Sequence, residues 1–183
     1  MKRLALLSLL LLLAACSGHT IHRIEVDLLS FIPQNQRQGE LDLIEAQVRL
    51  PDDPAGQPVE VPGAEALVDG RLAIGVKLKN TGTTNASLSL DVRMGPGSDN
   101  DLYDDNQGDI SATSKEVDLA PGQETDAILT LDLQPNTQAF NLVKSGRFRI
   151  GVKISMRGER VQYTLTQADV LLRLKLFNLI PNP

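Results

Sequence analysis

From residue 20 onward the chain alternates apolar and polar side chains with a period of two, the pattern of strands with one buried face. In Leu72-Ala73-Ile74-Gly75-Val76-Lys77-Leu78-Lys79 the even positions are bulky and apolar, and Lys77 and Lys79 fall on the other face. Leu88, Leu90 and Val92 alternate with Ser89, Asp91 and Arg93. Leu129, Leu131 and Leu133 alternate with Thr130 and Asp132. Phe148, Ile150, Val152, Ile154 and Met156 alternate with Arg149, Gly151, Lys153, Ser155 and Arg157. Further strands are expected over 21–30, 41–50, 113–119 and 159–177. About eight or nine strands with almost no helical periodicity predict an all-β fold, a single antiparallel β-sandwich.

The punctuation between these runs agrees. Asn80-Thr81-Gly82-Thr83-Thr84-Asn85 and Pro121-Gly122 each separate two strands, with glycine supplying the positive φ that tight turns need. Arg157-Gly158-Glu159 reads as a tight hairpin joining the last two long strands. One short helix is expected between Thr137 and Lys144, ending at Gly146, as a crossover. The stretch from about 50 to 66 holds Pro51, Pro54, Pro58 and Pro62 with Gly56 and Gly63, and reads as an extended loop without repeating ladder hydrogen bonds. Residues 17–50 are too few for an independent core, so this is a long surface loop within one domain, residues 21–183. Leu29-Ser30-Phe31-Ile32-Pro33 and Phe177-Asn178-Leu179-Ile180-Pro181 echo each other. Both are expected to be strands that stop at an Ile-Pro pair, where proline ends ladder pairing.

Gly75-Val76-Lys77-Leu78-Lys79-Asn80-Thr81-Gly82-Thr83, then Val117-Asp118-Leu119-Ala120-Pro121-Gly122-Gln123, then Phe148-Arg149-Ile150-Gly151-Val152 resemble bacterial immunoglobulin-like and fibronectin-type-III-like modules. Late-embryogenesis-abundant type 2 domains show a similar strand-turn-strand rhythm. The likeness covers roughly residues 70–157 and implies an immunoglobulin-like sandwich that binds or spaces, with no catalytic residue carried over. The chain has one cysteine and no tryptophan, so the Cys-Trp-Cys core of true immunoglobulin domains is absent.

The first residues follow a different pattern. Met1-Lys2-Arg3 is positive, Leu4 to Ala15 is apolar, and small residues precede Cys16, the layout of a secretory signal. A membrane-spanning helix needs about 20 apolar residues, so this run is too short to be one. Leu13-Ala14-Ala15-Cys16 resembles the lipobox of bacterial lipoproteins at all four positions. The resemblance implies cleavage between Ala15 and Cys16, diacylglycerol on the Cys16 thiol and, in many cases, acylation of the new amino group. Residues 1–15 would then be a cleaved signal peptide and 16–20 a lipidated tether to the membrane. Ser17 stands where an Asp would retain an enterobacterial lipoprotein at the inner membrane, so the resemblance points to the outer membrane where the cell has one. Cys16 is the only cysteine, so no disulfide can form within the chain.

Composition narrows the function further. Cleavage would shorten the chain from 183 to 168 residues and, with Lys2 and Arg3 gone, shift the formal charge from −5 to −7. An acidic chain with two Tyr, four Phe and no Trp offers neither a phosphate-binding face nor a stacking platform, which argues against nucleic acid. The two histidines, His19 and His22, sit beside the expected anchor, where a tether cannot hold a catalytic base against a nucleophile. No zinc, haem or phosphate-loop spacing occurs, so no cofactor is expected, with calcium the one open question.

That question rests on Ser98-Asp99-Asn100-Asp101-Leu102-Tyr103-Asp104-Asp105-Asn106-Gln107-Gly108-Asp109. Asp99, Asp101, Asp104, Asp105 and Asp109 offer the hard oxygens calcium takes, though the spacing departs from the EF-hand loop. The alternative is a solvated loop whose acids stay wet. The whole reading is a lipid-anchored envelope protein, not an enzyme, acting as a binding or assembly module for an unknown envelope partner. A structural or stress-protective role and carboxylate-only hydrolysis are the alternatives.

Overall fold

The computed structural model describes residues 21–42 and 47–175. The expected signal peptide, Cys16 with its tether and the Phe177–Pro181 echo lie outside them. Among the described residues there are ten strands: β1 (Ile21–Asp27), β2 (Gln38–Asp42), β3 (Gln47–Leu50), β4 (Gln57–Glu60), β5 (Leu67–Asn80), β6 (Ala86–Pro96), β7 (Ile110–Leu119), β8 (Glu124–Leu133), β9 (Arg147–Arg157) and β10 (Arg160–Lys175). One helix, α1 (Gln138–Lys144), lies between β8 and β9. The strands form two five-stranded antiparallel sheets, an all-β sandwich.

The two sheets share a plan. In one, β10 is flanked by β5 and then β8 on one side, and by the short strands β1 and β2 on the other. In the other, β9 is flanked by β6 and then β7, and by the short strands β3 and β4. The apolar positions read from the sequence face inward: Leu72, Ile74, Val76 and Leu78 on β5, Leu88, Leu90 and Val92 on β6, and Phe148, Ile150, Val152, Ile154 and Met156 on β9 are all buried in one aliphatic core. Each such side chain contributes roughly 1.5–3 kcal/mol on leaving water. On β10 the buried set changes parity, from Val161, Tyr163 and Leu165 to Ala168, Val170, Leu172 and Leu174. A bulge between Leu165 and Gln167 absorbs the extra residue, opposite Gly75, where a Cβ would stand 2.9 Å from Thr166 Oγ1.

Four expectations are corrected. The 41–50 run is not one strand: β2 joins the β10 sheet and β3 the β9 sheet, so the chain changes layer within it. Arg157-Gly158-Glu159 is not a hairpin, because β9 and β10 lie in opposite sheets, their flanks already taken by β6 and β5. The Pro-rich segment contains β4, whose Pro58 pairs with Arg149. Proline is tolerated there because an edge strand makes its ladder on one side only. Leu28–Phe31 is a 3-10 turn rather than strand, started by Asp27, whose side chain accepts the Ser30 N–H at 3.3 Å. The helix forms as expected. Thr137 Oγ1 accepts the Phe140 N–H at 3.2 Å, Gly146 follows at φ 81°, and the crossover buries Ala139, Phe140 and Val143.

Three of the inter-strand turns, 81–85, 120–123 and 158–159, are arches that carry the chain between sheets at one end of the sandwich. Asn80, fully buried, ties the first two together. Its Nδ2 donates to Thr84 O at 2.8 Å and Leu119 O at 3.0 Å, and its Oδ1 accepts the Gly82 N–H at 2.9 Å. Its backbone N–H donates to Gln123 O and its carbonyl accepts from Gly122. Glu159 fastens the first arch to the third by accepting from Thr83 N and Oγ1. The opposite end carries α1, the 97–109 loop and the start of β1, where Ile21 pairs with Lys175.

Candidate functional site

Odd-numbered residues of β6 point away from the core, yet Asp91, Arg93 and Gly95 are buried. Their cover is the 97–109 loop, which folds back over the outer face of the β9 sheet. Leu102, at its centre, is fully buried although it lies outside the inter-sheet core. Its methyl groups sit 2.8 Å from where a Cβ on Gly56 or Gly95 would stand, and 3.3 Å from one on Gly151. Glycines from three parts of the chain therefore leave the hollow that Leu102 fills. The Leu102 N–H donates to Pro54 O at 2.9 Å, joining the loop to the Pro-rich segment.

Arg93 organises the polar half of this layer. It stands at a second bulge, where Val92 pairs with Thr113 but Arg93 with Ser111. Its Nε donates to Leu102 O at 3.1 Å, and its Nη2 donates to Asp109 Oδ2 at 2.8 Å and to Asp105 Oδ1. Its Nη1 is 3.7 Å from Asp91 Oδ2. Asp91 accepts from Ser111 Oγ and lies 3.7 Å from Lys153 Nζ. Burial lowers the basicity of the Arg93 guanidinium, but the hydrogen bonds to Asp105 and Asp109 and the charges of Asp105 and Asp91 outweigh it and hold the group above its ordinary value. The exposed Asp105 carboxyl is held below the usual carboxylate range, first by its hydrogen bond from Arg93 and then by the Arg93 charge.

A second cation faces the same loop. The Arg49 guanidinium on β3 lies over the Tyr103 ring, 4.6 Å from its centroid, and 3.8 Å from Asp101 Oδ1. Burial raises the Tyr103 hydroxyl above its ordinary value, and its oxygen has no hydrogen-bond partner.

The five aspartates singled out in the sequence therefore share one loop but have different surroundings. Asp105 and Asp109 bind Arg93, Asp101 faces Arg49 and accepts the Tyr103 N–H, and Asp104 accepts the Asn106 N–H at 2.8 Å. Asp99 is buried beneath them and accepts the Asp101 N–H at 3.0 Å. Among the described residues no three Asp, Glu, His or Cys side chains converge as a metal-ligand set, and Gly95 is covered by Asp99 Oδ2 and Leu102 with the Asp109 Cβ beside them. Sequence reasoning missed Arg93 and Asp91, which fall where strand alternation predicts solvent. Gly95 and Gly151 on the same outward face were the available signal, since bare backbone on a strand's outer face often marks a close approach by another segment.

Among the described residues no helix is long and apolar enough to cross a membrane. No protein-family model matches the chain, and no curated protein sequence does. Among solved structures, the T13 infectious bursal disease virus particle aligns at 9% identity over 85% of this chain and 31% of that one, with a TM-score of 0.40. Eiger TNF from S. frugiperda aligns at 6% identity over 64% and 65%, with a TM-score of 0.34. The Clostridium thermocellum xylanase 10B CBM22-1-GH10 modules align at 12% identity over 81% and 28%, with a TM-score of 0.36. The chain spans about a third of the length of the virus chain it is similar to. These values support no transfer of family or role, and the sandwich described above stands on its own strand pairings.

Proposed function

We propose that this protein is a lipid-anchored, non-catalytic binding or assembly module of a bacterial cell envelope, built on an immunoglobulin-like sandwich. The observation that carries the reading is polarity along the long axis of the sandwich. The chain enters at Ile21, opposite Lys175, while the three arches and Asn80 lie at the other end. Residues 16–20 separate Ile21 from Cys16, and at full extension five residues reach about 17 Å. Lipid on Cys16 would hold the β1 end close to the bilayer and turn the arch end outward. That end carries an open groove of about 590 Å³ whose lining mixes polar residues such as Asp118 and Arg157 with apolar ones such as Ala86 and Leu119, which supports the choice of a protein partner.

Metabolic labelling with a radiolabelled fatty acid tests the anchor. Label is expected on the wild-type chain and absent from Cys16→Ser, which should leave the membrane fraction. Crosslinking of intact envelopes tests the module. A partner in fixed stoichiometry is expected, and its capture should fall when Asp118 and Arg157 are both replaced by alanine. High abundance with no stoichiometric partner would favour the structural or stress-protective role instead.

A further inference from the structure

One corner of the sandwich brings two distant parts of the chain together. β1 begins at Ile21, which pairs with Lys175, where β10 ends. Paired strands lie about 4.8 Å apart, so the segment leading back to Cys16 and the segment leaving Lys175 start side by side. The sequence after Lys175 is Leu176-Phe177-Asn178-Leu179-Ile180-Pro181, with four large apolar residues and no charge. These residues lie outside the described ones. At full extension the five from Leu176 to Ile180 reach about 17 Å, as far as the tether to Cys16.

The described residues at this corner have matching chemistry. Ile21 is 47% exposed, whereas the other exposed large apolar side chains among the described residues, Phe31 and Ile128, lie further from this end. On the outer face of the β10 sheet Arg23 stands directly opposite Arg173, with Lys175 two residues on. Their acidic neighbours are Glu25, 3.7 Å from Arg23, and Asp69, 3.4 Å from Arg173, so three cations face two acids in a chain of net charge −5. Like charges directly opposite on neighbouring strands repel, and a phosphate between them relieves that repulsion. The acidic 97–109 loop covers the other sheet and leaves this face to the cations. Apolar residues flanked by Lys and Arg suit a membrane interface, where the apolar groups enter and the cations reach headgroup phosphates.

We propose that this corner is a second membrane contact: Arg23, Arg173 and Lys175 bind phospholipid headgroups, and Ile21 with the apolar residues of 176–180 enters the interface beside the lipid on Cys16. The inference rests on the lipid-anchored reading above and adds orientation to it. The lipid limits how far the domain stands from the bilayer. A second contact one strand away also limits how it turns, and so keeps the arches outward.

The chain has no tryptophan, so Phe177→Trp supplies a single fluorescent reporter. The lipidated protein is reconstituted in vesicles of phosphatidylethanolamine and phosphatidylglycerol, with and without lipid brominated near the headgroup end of its acyl chains. Phe177→Trp emission is expected to shift to the blue and to be quenched by the brominated lipid. Thr81→Trp, in the first arch, should show neither effect. Adding Arg23→Glu and Lys175→Glu to Phe177→Trp should weaken the quenching while fatty-acid label stays on Cys16. Absence of label from Cys16 would remove the anchor reading and this inference with it. Label on Cys16 with the Phe177→Trp emission of a water-exposed indole would overturn this inference alone. Blue-shifted emission that brominated lipid does not quench would overturn it too, because protein then covers the segment. Quenching undiminished by the charge reversals would overturn the headgroup contact.

Discussion

Asn80 and Arg93 are polar side chains placed where a sandwich normally puts aliphatic ones or none, and each holds its surroundings through several hydrogen bonds at once. Asn80→Ala would strip the Thr84 carbonyl and the buried Leu119 carbonyl of a donor and leave an unfilled space in the core, while the Gly82 N–H keeps the Arg160 carbonyl. It should cost about 2–4 kcal/mol, read from the midpoint of urea unfolding. Arg93→Met strands the buried Asp109 without its cation and leaves Asp91 with Lys153 alone, and should cost about 3–5 kcal/mol in the same assay. Asp105→Asn, on the exposed side of the same contact, should move the midpoint little. Three residues set pH limits, one alkaline and two acid. The Tyr103 hydroxyl is raised by burial, so the unfolded chain loses that proton first. Stability is therefore complete below about pH 10 and declines as pH rises beyond it, and Tyr103→Phe should flatten that alkaline decline. Asp105 and Glu159 are lowered, Asp105 by Arg93 and Glu159 first by the Thr83 N–H. Their contribution is present above about pH 4 and is lost as pH falls below it. None of these roles is legible from residue type, because a lone Asn or Arg in an alternating run reads as a solvated face.

At the scale of elements, alternation located the long strands because each buries one face, and Thr137 with Gly146 marked both ends of α1 through local capping chemistry. The 97–109 loop was visible only as an acidic run. That it covers the outer face of the β9 sheet depends on Gly56, Gly95 and Gly151, which lie far apart in the chain and meet only when the sheet forms. Gly151→Ala tests this cover. A methyl group there would collide with the Tyr103 hydroxyl and crowd Leu102. It should destabilise the chain by about 1–3 kcal/mol, as overpacking does. Hydrogen exchange should show faster loss of protection at the Leu102 amide than at Val152, whose side chain faces the core.

For the whole molecule, the pairings are long-range: β1 with β10, β2 with β10 and β3 with β9. Closing such loops before their contacts form is slow, so stopped-flow refolding should fall in the millisecond-to-second range, and sub-millisecond folding would contradict this topology. The proposed lipid attachment would act at this scale too, by setting which end of the sandwich faces outward. The residue pattern alone determined that the chain makes an antiparallel sandwich with an aliphatic core, since a period of two dictates which side chains share a buried face. It also carried the lipobox resemblance, which is local in sequence. Tertiary structure decided which sheet each strand joins, that three turns are arches rather than hairpins, and that Leu102 seats against Gly56, Gly95 and Gly151. Those outcomes depend on which strands lie side by side, and a pattern of alternating faces says nothing about neighbours.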